Sequence, residues 1–297
     1  MIVKFAIGID LGGTRIKGVA LDAGGNTVHK LYMPTYDGDG AIWKEAVEQT
    51  VKELLSKINS SDSVIGISAP GLPSDDNRVI SYMPGRMQGL ENFEWQEFLQ
   101  KPTYVLNDAV AALIAESKFG AAKNRKHVVM LTLGTGVGGA ILIDGKPYMG
   151  AFNKAGHMGH MVINDEGDCD VTGMPGSLEE CIGNCTIVKR SKGKFNSTQD
   201  MLNAYNEGDS FAKEIWLKSL RQLAIGLASL TNILSPETIV LGGGIAEAGN
   251  LLFEPLKEYL QEFEWRTGGN KVEIVKACYG DMAGGIGAAS FAMDKVD

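Results

Sequence analysis

An α/β fold built from two similar halves is the architecture this sequence predicts, and three observations carry it. Short apolar runs alternate with amphipathic helical stretches along most of the chain. Twice an apolar run enters a glycine-rich turn and continues as a second run, in "KFAIGIDLGGTRIKGVALD" and in "HVVMLTLGTGVGGAILIDG". The 38 glycines, about 13% of the chain against a usual ~7%, gather in a few turns rather than spreading as low-complexity sequence.

Taken in order, "KFAIGID" predicts a buried strand, and "RIKGVALDAGGNTVHKLYM" a hairpin turning at Gly24–Asn26. Over 42–58 the spacing of Ile42, Ala46, Val47, Val51, Leu54, Leu55 and Ile58 predicts one apolar helical face. "SVIGISAPG" and "TYVLND" are short strands, and "AVAALIAESKFGA" is a helix ending near Gly120. The pattern then restarts at "HVVMLTLGTGVGGAILIDGKPY", a strand, a glycine turn and a strand. A long helix follows over 210–234, then a strand into a glycine loop at "TIVLGGGIA" and a helix at "LLFEPLKEYLQEF". A strand at "KVEIVKAC" and a final helix at "GGIGAASFAMDKV" close the chain. We expect domains over 1–118 and 119–282, with the helix at 283–297 a candidate to pack back on the first. No Pro- or Ser-rich linker marks the boundary near 115–125.

At 297 residues the chain is long enough for about two domains. No apolar run approaches the roughly 18 residues that span a bilayer, and no secretory leader is legible at the N-terminus, so a cytoplasmic protein without a membrane partner is expected. The net charge of -8 argues against nucleic-acid binding. The basic run "KRSKGK" at 189–194 reads as a solvated turn. Four cysteines, Cys169, Cys181, Cys185 and Cys278, form no CxxC pair, as reduced cytosolic thiols would not.

Three glycine loops carry possible chemistry: "DLGGT" (Asp10–Thr14), "LGTGVGG" (Leu133–Gly139) and "LGGGIAEAG" (Leu241–Gly249). Glycine lets backbone N–H groups converge on an anion, and a threonine hydroxyl adds a donor; a tight turn without ligand is the plainer alternative for any one of them. None has the phosphate-loop Lys-Ser/Thr ending or the dinucleotide G-x-G-x-x-G fingerprint in context. In "VLNDAVAAL", Asn107 and Asp108 lie between a strand and a helix. They read either as helix caps or as a carboxylate held where open α/β sheets bind ligands. An ordinary Asp, with a pKa of about 3.9, is ionised at neutral pH and able to take a hydroxyl proton.

On "IGIDLGGTRIKGVALD", "SAPG", "LNDAVAA", "TLGTGVGGAIL", "GHMGH" and "IVLGGGIA", the chain resembles the ROK family (repressor, open reading frame, kinase) of actin-like sugar kinases over nearly its whole length. The resemblance implies a duplicated actin-like, ribonuclease H-like fold with two domains closing a cleft over a sugar and ATP. It implies ATP and Mg²⁺ as cofactors and a homodimer, for which the long apolar helix near 211–234 offers a face. It places Asp10, Gly12, Gly13, Thr14, Lys17, Thr135 and Gly136 at the nucleotide phosphates, with Mg²⁺ near Asp10. Gly242, Gly243 and Gly244 would lie along the adenosine. Asp108 would deprotonate the sugar hydroxyl, expected to be that on C6, with Asn107 beside it and Gly71 lining the sugar pocket.

The family pattern also has Gly-Glu-x-Gly-His followed by Cys-x-Cys-Gly-x-x-Gly-Cys-x-Glu, in which the histidine and three cysteines hold structural zinc and both glutamates contact sugar. Here His160 and Glu179 match, but the cysteine positions hold Asp170, Thr172 and Ser177, and Cys169 lies one residue out of register. Tetrahedral zinc wants about four nitrogen or sulfur ligands, so we expect the zinc to be absent. A rearranged site using Cys181 and Cys185 is the alternative, against their being small apolar residues on a helix. His157 replaces the family's first sugar-binding glutamate, exchanging an acceptor for a group with one donor and one acceptor; it either meets a different sugar pattern than glucose or packs the loop. "MPGRMQGLENFEW" also departs from the family's Asn-containing stretch.

The expected activity is therefore ATP-dependent phosphorylation of a hexose or hexose derivative. The alternative is a non-catalytic sugar-sensing regulator on the same scaffold. ROK repressors carry a DNA-binding helix-turn-helix ahead of the kinase-like region, and here the first glycine loop begins at residue 10, which leaves no room for one.

Overall fold

The computed structural model describes residues 5–35, 42–58, 62–83 and 87–296. The chain divides into two compact units. One comprises Met1–Asn124, Met149–Ala155 and Cys278–Asp297; the other Arg125–Tyr148 and Gly156–Ala277.

Unit 1 opens with strands β1 (Phe5–Leu11), β2 (Arg15–Asp22) and β3 (Thr27–Pro34), then helix α1 (Trp43–Ile58) and strand β4 (Ser63–Ala69). A small hairpin, β5 (Leu72–Pro73) and β6 (Ile80–Tyr82), precedes α2 (Trp95–Leu99), β7 (Thr103–Asn107) and α3 (Asp108–Phe119). The main sheet runs β3-β2-β1-β4-β7, with β1 antiparallel to β2 and parallel to β4. The β2–β3 turn falls where Gly24–Asn26 predicts it, tied by Asp22, whose carboxylate accepts from the Gly24 and Asn26 amides.

In α1 the buried face is Trp43, Val47, Thr50, Val51 and Leu54, rotated slightly from the predicted one. Ile42 precedes the helix and is 48% exposed. Trp43 takes the inward place because it packs edge-on against Phe93 and tilted against Trp95, at ring-centroid distances of 5.9 and 5.5 Å. The described part of "MPGRMQGLENFEW" thus feeds the core, while residues 84–86 lie outside the described residues.

Unit 2 repeats the plan. It contains β8 (Val128–Leu133), β9 (Val137–Ile143) and β10 (Lys146–Pro147), then α4 (Leu178–Ile182), α5 (Ile187–Arg190), α6 (Thr198–Asn206) and α7 (Ser210–Leu234). β11 (Thr238–Gly242), α8 (Asn250–Phe263) and β12 (Glu273–Lys276) complete it. Its sheet, β10-β9-β8-β11-β12, has the same order and the same antiparallel-then-parallel sense as the first. This repeated hairpin-plus-crossover arrangement is the duplicated actin-like, ribonuclease H-like fold.

The long α7 is capped by Asp209, which accepts from the Phe211 and Ala212 amides, and buries Trp216, Leu220, Leu223 and Leu227. The helices α4 and α5 are too short, at five and four residues, for a period to be read; capping by Ser177 and Ser197 defines α4 and α6. The basic run 189–194 is not wholly solvated as expected. Half-buried Arg190 donates to the Ile182 and Gly183 carbonyls and to Ser219, closing the loop beneath α4.

The last helix, α9 (Ala283–Asp294), belongs to unit 1 and lies on β1, β4 and α3. Its glycines permit that closeness, since a Cβ at Gly287 would overlap the Ala111 carbonyl. Among the described residues, no helix is long and apolar enough to cross a membrane.

Candidate active site

Three neighbouring parallel strands, β1, β4 and β7, end together, and most of the predicted unit 1 residues sit at those ends. The register places Asp10 opposite Lys17 on one side and Ser68 on the other. Both neighbours use it: Lys17 Nζ and Ser68 Oγ each donate to its carboxylate at 2.8 Å. The Asp10–Lys17 pair is only 14% and 18% exposed. Helix α9 passes so close that a Cβ at Gly284 would lie 2.6 Å from Asp10 Oδ1 and 2.8 Å from Ser68 Oγ. Gly12, Gly13 and Thr14 form the β1–β2 turn, where the Thr14 carbonyl accepts from the Thr35 amide.

At the end of β7, the two readings of "ND" separate by residue. Asn107 is the cap: its Oδ1 accepts from the Ala109 and Val110 amides at 3.0 and 3.4 Å. Its Nδ2 donates to the Gly71 carbonyl at 3.1 Å, joining the ends of β4 and β7. Gly71 has φ +100°, and a Cβ there would lie 2.6 Å from the Tyr82 carbonyl oxygen, so only glycine fits. Asp108, the first residue of α3, is exposed, and its Oδ1 accepts from the Ala109 amide at 2.8 Å.

In unit 2 the β8–β9 turn and the loop after β11 meet, because β8 and β11 are sheet partners. Gly243, at φ +84°, packs on the Leu133 carbonyl, where a side chain would collide. A cavity of about 620 Å³, within the usual range for a small-molecule site, brings Thr135 and Gly244 together with Thr198, Leu202 and Ile245. Gly242 and Gly243 are not among its lining residues; they pack instead against Ala277 and Met130 and against the Leu133 backbone. Gly136 is held to glycine by Glu179, whose Oε2 accepts from the Val137 amide at 2.9 Å.

His157 takes the N-cap position of a 3₁₀ turn at Met158–His160 and His160 closes it, and both are half-buried. Gly159 between them packs against the Val137 carbonyl too closely for any side chain. His160 Nδ1 lies 2.8 Å from Asp170 Oδ2. Asp170 Oδ1 accepts from the Thr172 amide, the Thr172 hydroxyl and the Met174 amide, at 2.8, 2.7 and 3.1 Å. Burial raises the Asp170 pKa, but hydrogen bonds from His160, Thr172 and Ser177 outweigh it and hold the carboxyl far below the ordinary range.

A ROK family model matches residues 6–295. The chain belongs to the ROK family. It is 30% identical to a glucokinase of Halalkalibacterium halodurans, over 96% of this chain and 93% of that protein. It is 25% identical to the xylose repressor of Bacillus subtilis, over 98% of this chain and 77% of the repressor. Among solved structures, a ROK hexokinase from Thermus thermophilus superposes with a TM-score of 0.86 at 28% identity, covering 98% of this chain and 99% of that one.

The ROK zinc positions in this chain do not fit the metal. They hold an imidazole, a carboxylate and two neutral hydroxyls, so only His160 and Asp170 are ordinary zinc donors where a structural site needs about four. Nor do the cysteines supply a replacement. Cys181 is buried in α4, whereas Cys185 sits exposed in a 3₁₀ turn at Asn184–Thr186, not on a helix face as expected. Among the described residues, no three His, Cys, Asp or Glu side chains lie where they could hold a metal ion.

Four contributors escaped the sequence reading. Ser68 lies within the quoted "SAPG", and Gly284 within "MAGGIG", but neither carries a chemical signature of its own. Thr198 and Leu202 reach the unit 2 cavity from α6, a nine-residue helix that is not among the predicted elements.

Proposed function

We propose that this chain is an ATP-dependent sugar kinase that phosphorylates a hexose or hexose derivative at the C6 hydroxyl, with Asp108 as the base. The observation that carries this reading is the division of labour at α3. Asn107 caps the helix and pins Gly71, while Asp108, whose Oδ1 accepts from the Ala109 amide, keeps an exposed carboxylate at the end of β7, where open α/β sheets bind their ligands. Family membership and the likeness to a hexokinase and a glucokinase support the same chemistry.

In this reading Asp108 takes the hydroxyl proton as the sugar oxygen attacks the γ-phosphorus, and the bond to the ADP oxygen breaks in line. The unit 2 cavity beside Thr135 and Gly244 is assigned to the nucleotide, and the Gly12–Thr14 and Thr135–Gly136 turns are each assigned a phosphate-binding role through their amides. Mg²⁺ bound with ATP would neutralise phosphate charge, and Asp10, a hard oxygen donor with lone pairs beyond those given to Lys17 and Ser68, is the residue that would hold it. His157, His160 and Glu179 are assigned to sugar hydroxyls. Because His157 can donate where the family glutamate only accepts, we expect a preferred sugar other than glucose.

The match to a xylose repressor favours one other reading, a sugar-sensing regulator without catalysis. A coupled ADP-release assay over hexoses, N-acylhexosamines and β-glucosides separates the two. Sugar-dependent ADP release on one class supports the kinase. A sugar that raises the melting temperature while none stimulates ADP release supports the sensor.

A further inference from the structure

The four positions at which the ROK pattern would place zinc ligands hold His160, Asp170, Thr172 and Ser177, and in this chain those same four side chains are joined to one another. Asp170 is the hub. Its side chain is fully enclosed and accepts from His160 and Thr172, and Ser177 also hydrogen-bonds to it. A metal gathers electron-pair donors around a positive centre. Here a negative centre gathers hydrogen donors, so the polarity of the loop's organiser is reversed while its positions are retained. Ser177 also caps α4, accepting from the Glu180 amide at 3.4 Å, so the same hub is linked to the helix that carries Glu179.

The reversal has a consequence for His160. A ring nitrogen bound to a metal leaves the hydrogen on the other nitrogen, which then points outward as a donor. An ionised carboxylate can only accept, so at 2.8 Å Nδ1 must carry the hydrogen, and a neutral imidazole then presents a bare Nε2. We infer that Asp170 is a positioning residue which replaces the family metal as the loop's organiser and fixes His160 with Nε2 as an acceptor, so that the sugar hydroxyl meeting it must donate. This rests on the assignment of His160 to the sugar made above. It adds a second change of hydrogen-bond polarity, beside His157, to the sugar-recognition loop.

The test uses the full chain, ¹⁵N-labelled, at pH 8, with long-range ¹H–¹⁵N correlation to locate the His160 ring hydrogen and His160→Gln for assignment. The expected spectrum has the hydrogen on Nδ1. Asp170→Asn keeps an oxygen for Thr172 and Met174 but turns an amide toward Nδ1, so the hydrogen should move to Nε2 while the protein still melts cooperatively. The affinity of the best sugar in the panel, measured by calorimetry, should then fall about ten-fold, equivalent to ~1.4 kcal/mol. ATP affinity should change by less than about two-fold. A wild-type ring with its hydrogen on Nε2 overturns the inference, whether or not Asp170→Asn folds, as does one zinc per chain in purified protein. If His160→Gln weakens sugar binding but Asp170→Asn does not, the positioning role fails. If neither variant alters sugar binding, the assignment of His160 to the sugar fails, and the inference falls with it.

Discussion

Removing the Asn107 side chain should damage both the stability of unit 1 and the chemistry, and the two effects can be taken apart. Asn107→Ala deletes the cap on α3, a loss of about 1 kcal/mol. It also leaves the Gly71 carbonyl without its 3.1 Å donor, worth roughly another 1 kcal/mol for a poorly solvated acceptor. The Ala109 amide retains Asp108 Oδ1 at 2.8 Å, which limits the total to about 2 kcal/mol. For a folding unit of this size that corresponds to a fall of roughly 4–8 °C in Tm. Asn107→Ser restores an acceptor for the helix amides but cannot reach Gly71, so it should recover about half of the lost stability. If the Gly71 link seats the sugar, both variants should show kcat/KM for sugar reduced at least about ten-fold, with the KM for ATP little changed. Thermal melts and steady-state kinetics on the two variants provide the check. Full activity in Asn107→Ser would refute the reasoning, because it would reduce Asn107 to a helix cap.

Three further outcomes follow from the same contacts. Gly287→Ala drives a Cβ into the Ala111 backbone, which cannot swing aside as a side chain would, so calorimetry should show a loss of about 3 kcal/mol or more; an unchanged Tm would contradict the packing of α9 on α3. Burial pushes the Cys181 thiol up to about 11, so iodoacetamide at pH 8 should modify exposed Cys169 promptly and Cys181 only after denaturation, as peptide masses would report. The Asp170 carboxyl is depressed in the folded state, so its stabilisation is complete above the ordinary carboxyl pKa and is lost as the pH falls below it. The Tm difference between wild type and Asp170→Asn should therefore hold from about pH 8 to 6 and shrink from about pH 5 downward; a difference that grows in acid would reverse the assigned sign.

Much of the fold was legible because its signals are local. The repeated strand-glycine-strand runs became the hairpins of the two sheets, and the helix after Asn107 ends at Gly120 as expected. What stayed hidden depends on contacts between distant segments. Ile42 fits the helical period of α1 as well as Trp43 does, and only Phe93 and Trp95 decide which one turns inward. Ser68 gains its partner from sheet register, which pairs it with Asp10 across 58 residues. Asp170 could be read as a lost cysteine; that it would itself become the centre of the loop needed the positions of His160 and Ser177.

The central claim is that the exposed carboxylate at the start of α3 is the base for phosphoryl transfer, and Asp108→Asn tests it most directly. The amide keeps an oxygen for the Ala109 amide, so the fold and the nucleotide cavity should be undisturbed. With the best sugar and ATP, turnover should fall by at least about a hundred-fold, the usual worth of a positioned base, while ATP affinity stays within about two-fold. Turnover close to wild type in a protein that still binds both substrates would contradict the account.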